Sequence, residues 1–261
     1  MISFSSAEIN AWIVAYFFPL ARILALLAAA PPFNNAALSV RVRLMLGLAI
    51  AIAITPALPP IAPLEPASGI GLWILAQQLL IGFAMGFSLR LVFSAVDLAG
   101  NMIATQMGLG FATFYDPQNT AQTPVVSEFM GLLTLLIFMA INGHLMLIAT
   151  LTHSFTVIPI SATAPASGTW LNLANAGVVV FSSGLLLALP ILVALLITNV
   201  ALGVLSRAAP QLNLFAVGFP LTLALGFAML IISMSYLGAP LQLLFEHGLQ
   251  SMLGNFVVAG R

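Results

Sequence analysis

GVVVFSSGLLLALPILVALLITNVALGVL, residues Gly177–Leu205, runs without one charged side chain. As a helix rising 1.5 Å per residue it would reach about 43 Å, well beyond the roughly 30 Å of a bilayer's hydrocarbon core. A stretch of this kind reads as a membrane helix before anything else about the chain is known. The composition agrees: 62% of the 261 residues are hydrophobic and 5% are charged, and the mean hydropathy is +1.17. A globular domain carries about 25% charged residues. The chain has too little polar surface to cover a soluble core of its size, so lipid or apolar partner subunits must take the remainder.

Five further apolar segments flank this one, at Ala11–Ala30, Leu44–Leu58, Ile70–Phe93, Val125–Leu151 and Leu214–Leu237. The expected fold is all-α: a single-domain polytopic integral membrane protein of about six hydrophobic helical segments. The segments are uneven. Leu44–Leu58 reaches only about 22 Å as a helix, so six equal spans are not expected. Pro56, Pro59, Pro60, Pro63 and Pro66 end the second segment and forbid helix in the loop after it. Residues 106–124, QMGLGFATFYDPQNTAQTP, form the longest polar interruption, and further breaks fall at Pro159–Pro165 and Ser206–Asn213. The N-terminal stretch lacks a positive n-region and Arg22 interrupts its apolar run, which predicts a retained first membrane helix rather than a cleaved signal.

Charge placement gives a topology. With six spans, Arg41, Arg43, Arg90 and Arg207 fall in loops on one side, against Arg261 on the other. The positive-inside rule then puts the arginine loops in the cytoplasm and both termini outside. Lysine and cysteine are both absent and the formal net charge is zero. Phosphate neutralisation therefore draws no nucleic acid to this chain, and no thiolate metal site or disulfide can form. Without lysine there is no phosphate-binding P-loop. No HExxH, GxSxG or dinucleotide-binding GxGxxG occurs either. His144, His153 and His247 do not share metal-ligand spacing, and structural hydrogen bonding is the expected role of each. No catalytic residue, cofactor site or metal site is expected, and the chain is not read as an enzyme.

Several residues still ask for a role. Arg22 is the one base in the middle of an apolar segment, Arg90 lying near the end of its own. Such a residue faces a protein interior, a polar cavity or the headgroups. It is either a partner contact or pore-facing charge, or a side chain snorkelling to the headgroups near Pro19. Arg90, Ser94 and Asp97 lie at i, i+4 and i+7, on one face if the third helix continues. They form either a polar stripe against a neighbour or a helix end at the headgroups; a proton relay is the sharper alternative, for which a single Asp makes a thin chain. Gly82 and Gly86 are one turn apart in an apolar helix and let another helix approach closely. Residues 106–124 place a methionine, phenylalanines and Tyr115 on a backbone hinged by Gly108 and Gly110. They read as a yielding apolar plug or as a loop whose aromatics pack on the helices below.

Several motifs, in order and spacing, resemble one family. They are Pro31-Pro32-Phe33 followed by Arg41-Val42-Arg43-Leu44, then Gln106-Met107-Gly108-Leu109-Gly110-Phe111-Ala112, Asp116-Pro117 and Asn142-Gly143-His144. The most specific is Asn199–Asn213, NVALGVLSRAAPQLN, continued by Val217-Gly218-Phe219-Pro220. Together they resemble the FliR family of type III secretion export-gate proteins across nearly the whole chain. The resemblance implies assembly with FliP-like and FliQ-like subunits, and an FlhB-like subunit alongside. The product would be a closed helical conduit for unfolded flagellar proteins in the bacterial inner membrane at the flagellar basal body. It implies a FliP-like part over about 1–170 and a FliQ-like hairpin over 171–261. It also implies a pore-plugging loop over Gln106–Gln122, with Gln106, Met107, Gly108, Gly110, Phe111, Phe114, Tyr115 and Asp116 its named members. Arg22, Gly82, Gly86, Arg90, Asp97, Arg207, Pro210, Gln211 and Asn213 are the expected partner or packing contacts. The competing function is a secondary transporter of a small solute, with Arg22, Arg90 and Asp97 as coupling charges.

Overall fold

A computed structural model describes residues 6–35, 38–59, 65–111, 125–165, 167–209 and 214–257. Eight α-helices are described: α1 Ser6–Ala29, α2 Val40–Ile54, α3 Gly69–Gln106, α4 Val125–Ala140, α5 Gly143–Val157, α6 Ser167–Asn175, α7 Val178–Ala208 and α8 Leu214–Val257. Two 3₁₀ turns follow α2 and α3, at Thr55–Ala57 and Leu109–Phe111. No strand occurs among the described residues.

The expected all-α membrane architecture is what the chain adopts. Five stretches are long and apolar enough to cross a membrane: Asn10–Ala29, Val40–Ala57, Gly69–Gln106, Gly168–Ala208 and Val217–Phe256. The pair α4 and α5 makes a sixth only as a broken span. The expected fourth segment, Val125–Leu151, is therefore corrected to two helices. They part at Ile141-Asn142, where Asn142 takes φ 57°, a left-handed conformation that asparagine tolerates better than most residues.

Two other segments are longer than hydropathy suggested. The third was expected to end at Phe93 and runs on to Gln106, and the sixth was expected to end at Leu237 and runs on to Val257. Polar residues such as Asn101 and Glu246 lower the hydropathy there without breaking the helix. Pro19, Pro190, Pro220 and Pro240 lie inside helices. In a membrane setting neighbouring groups can satisfy the backbone that a proline frees.

The ends of α2 are set locally. Ser39 caps its start, with Oγ accepting from Val42 N at 3.4 Å. Pro56 enters the 3₁₀ turn just past its end, where Thr55 Oγ1 donates to Ala51 O at 2.6 Å.

The chain folds into two compact units. The first holds residues 1–91, 142–176 and 246–261, and the second holds 92–141 and 177–245. In the first, Val14 and Phe18 of α1 pack on Ile74 of α3, with Leu75 and Ile160 closing around them. In the second, Phe93 of α3, Phe138 of α4 and Phe245 of α8 form a three-ring cluster. Their ring centroids are 6.2, 5.5 and 5.0 Å apart, within the range where edge-on aromatic pairs attract.

Burial is uneven between helices. In the apolar window of α3, 56% of residues are buried, against 22% in the windows containing α7 and α8. Phe181, Leu186 and Val204 of α7 are 70%, 68% and 65% exposed. At 31 and 44 residues, α7 and α8 measure about 46 and 66 Å, far more than the roughly 30 Å of hydrocarbon.

Candidate functional sites: a buried arginine and the end of α3

Arg22 is fully buried inside the first unit. Its Nε donates to Gln78 Oε1 of α3 at 2.8 Å. Nη1 donates to Ser154 O and Ser154 Oγ, both at 3.0 Å, and Nη2 to Ile158 O at 2.9 Å. The guanidinium also lies 4.2 Å from the centroid of the Phe155 ring, where a cation is attracted to the π face.

These acceptors are an amide oxygen, a hydroxyl and two backbone carbonyls; none is a carboxylate. Ser154 stands in the last turn of α5 and Ile158 caps it. A helix C-terminus carries about half a negative charge on its unsatisfied carbonyls. The positive side chain of α1 is thus met by the partial negative charge at the end of α5 rather than by an acid. The planar five-donor fork of arginine can reach these directions at once, which an ammonium cannot. Arg22 therefore neither snorkels nor faces a pore. It ties α1, α3 and α5 together.

The two glycines of α3 serve the same packing. A Cβ added at Gly82 would fall on the carbonyl oxygen of Arg22 and within 2.9 Å of the Ala25 Cβ. One added at Gly86 would lie 2.6 Å from the Ala29 Cβ and 2.7 Å from Leu26 O. The pair lets α1 lie directly on α3, so the close helix approach is met within this chain.

In the second unit, α3 meets α4 at Ser127. A Cβ on Gly100 would fall on the Cα of Ser127. Ser127 Oγ donates to Asp97 O at 3.1 Å and approaches Asp97 Oδ1 at 3.5 Å, while Asn101 Nδ2 donates to Asp97 O at 2.9 Å. Because α3 continues through Arg90, Ser94 and Asp97, the expected shared helical face exists, and Arg90 and Asp97 are both exposed on it. Arg207 is exposed in the last turn of α7, where its charge suits the helix dipole.

The first residues of the expected plug are firmly placed. Gln106 is the last residue of α3. Met107 is fully buried, and its carbonyl accepts from Thr222 Oγ1 of α8 at 3.3 Å. A Cβ on Gly226 of α8 would lie 2.5 Å from Met107 Cγ and 2.7 Å from its Sδ and Cε. The thioether thus fills the space that a side chain on Gly226 would occupy. Gly108 follows with φ 87°, a conformation glycine adopts without strain. The 3₁₀ turn then carries Gly110 and ends at Phe111. Asn101, Met102, Thr105 and Gln106 line an open groove of about 450 Å³ with Leu192 and Leu196 of α7. Phe114, Tyr115, Asp116, Pro210, Gln211 and Asn213 lie outside the described residues.

The sequence pattern of bacterial export proteins, family 1, matches residues 13–248. The chain belongs to this family. Its relatives there carry the name flagellar biosynthetic protein FliR. That of Pectobacterium carotovorum subsp. carotovorum is 45% identical over 227 residues, 87% of this chain and 86% of the relative. That of Escherichia coli strain K12 is 43% identical over 230 residues, 88% of each chain. The Bacillus subtilis strain 168 protein is 30% identical over 187 residues, 70% of this chain and 72% of its own.

Sequence reasoning missed several residues of this FliR family member. Gln78, Ser154, Phe155 and Ile158 around Arg22 were not expected. Gln77-Gln78 inside an apolar run was a usable signal, because a polar side chain at membrane depth needs a buried partner. Thr222 and Gly226, which receive Met107, carried no such signal. A lone glycine in an apolar helix is common and does not name what it admits.

Proposed function

We propose that this chain is a subunit of the flagellar type III protein export gate. In this reading it forms, with FliP-like and FliQ-like subunits and an FlhB-like subunit alongside, the closed conduit through which unfolded flagellar proteins leave the cytoplasm. The assembly sits in the bacterial inner membrane at the flagellar basal body. The observation that carries the reading is the 45% identity, over 87% of the chain, to a protein named flagellar biosynthetic protein FliR.

The surface supports it. The long helices α7 and α8 expose apolar side chains over more length than hydrocarbon can cover, as expected of helices that lie against partner subunits. In this reading residues 1–170 are the FliP-like part and 171–261 the FliQ-like part. Residues 106–122 plug the passage, with Phe111, Phe114 and Tyr115 as its apolar seal; Met107, expected from the sequence to share in that seal, is instead buried against α8. The chain acts as conduit and scaffold without catalysis, and the energy for export enters elsewhere in the apparatus.

The test is mass spectrometry of the tagged protein, expressed from its native neighbourhood and extracted in mild detergent. One large complex containing FliP-like and FliQ-like chains is expected. Recovery of this chain alone, folded and monodisperse, would overturn the gate reading and favour a secondary transporter. Deleting Gly108–Tyr115 should make the membrane leak ions; an unchanged leak removes the sealing role from this segment.

A further inference from the structure

We infer that Met107 and the Gly226 notch form a releasable catch, which holds the end of α3 on α8 in the closed gate and must give way during export. The inference rests on the export-gate reading and adds a moving part to it.

Three observations meet at one residue. The Met107 side chain is fully buried, and its Cγ, Sδ and Cε lie 2.5–2.7 Å from where a Cβ on Gly226 would stand, so it occupies the space that a side chain there would take. Its carbonyl is held from the same helix by Thr222 Oγ1, one turn from Gly226. The next residue, Gly108, turns the chain at φ 87°. The end of a 38-residue helix is therefore fastened to α8 at the point where its course ends.

The chemistry of the fastening suits a catch better than a fixed weld. Methionine is unbranched and polarizable and repacks at small cost. The hydroxyl contact is long at 3.3 Å, and Thr222 Oγ1 has a second acceptor at 3.0 Å in Phe219 O of its own helix. Releasing Met107 thus leaves no buried hydroxyl without a partner. Gly108 supplies the backbone freedom beside the contact. Contrast the Arg22 clasp: removing that side chain strands several acceptors, and nothing about it invites release.

The chain contains no cysteine, so a pair introduced as Met107→Cys with Gly226→Cys has no competing thiol. Under a mild oxidant the pair locks the catch. Export of flagellar proteins is expected to fall at least tenfold and to return on reduction, with the complex intact throughout. Export at the unlocked level with the disulfide formed would overturn the inference and make the contact a static anchor.

The opposite lesion tests the same idea. Gly226→Val should hold the catch open and raise ion leak several-fold, and adding Met107→Ala, which makes room for the new side chain, should bring the leak back down. A leak that the second substitution worsens also overturns it. The gate reading itself fails differently, if the unmodified chain does not co-purify with partner subunits.

Discussion

The two units each contain a distinctive tie between apolar helices, a polar clasp in the first and an aromatic cluster in the second. In the first, a buried guanidinium gathers Gln78, Ser154 and Ile158 across three elements. In the second, Phe93, Phe138 and Phe245 meet as bare rings. Lipid tails are as apolar as the side chains they would replace, so leaving lipid supplies little drive for helices to associate. Ring packing must then rely on shape and dispersion, whereas the polar clasp has no equivalent partner in lipid. The comparison implies that one arginine outweighs a three-ring cluster in this protein, although the ranking in a water-soluble core would be close.

The largest expected effect is at Arg22. Arg22→Met keeps most of the volume but leaves Gln78 Oε1 and Ile158 O without their donor. At about 1–3 kcal/mol for each stranded buried acceptor, the loss is about 4 kcal/mol. It should appear as a sharply lowered melting temperature in detergent and reduced chain in the membrane. Arg22→Lys should recover little of it, because an ammonium cannot spread over these acceptors. A Met variant as stable as the parent would break the comparison outright.

Phe138→Ala comes next. A water-soluble core would lose about 3–5 kcal/mol. Here about 2 kcal/mol is expected, since the transfer term shrinks in lipid and mostly the cavity term remains. Finding Phe138→Ala costlier than Arg22→Met would reverse the ranking and make ring packing the main tie.

The smallest effect sharpens the polar side of the argument. Ser127→Ala removes the hydroxyl bond from α4 to Asp97 O of α3 while leaving the tight contact at Gly100 in place. A loss of about 0.6 kcal/mol is expected, the average for a hydrogen bond between membrane helices. A loss as large as that at Arg22 would mean that any polar contact here is strong, and that the arginine owes nothing to its several acceptors.

Much of the fold was legible in the chain itself. The apolar run at Gly177–Leu205 needed no context, and neither did the prolines after Ala57 or the near absence of charge. Each is a local or additive property: hydropathy sums along a segment, and a proline lacks its N–H wherever it sits. The motif Asn199–Asn213 likewise carries the family on its own residues. The break at Asn142 was less legible, because both flanking segments are apolar and a positive φ leaves no mark on hydropathy.

Tertiary structure alone decided what Arg22, Gly82, Gly86 and Met107 do. Arg22 reads as an arginine in a membrane segment until Gln78 arrives from 56 positions away and Ile158 from 136. Met107 reads as a loop residue exposed to a passage until Gly226 is seen to receive it. Composition and spacing can state that a buried donor needs an acceptor, or that a glycine leaves room. Which groups meet is settled by convergence of distant segments, because a hydrogen bond or a notch contact acts only over a few ångströms.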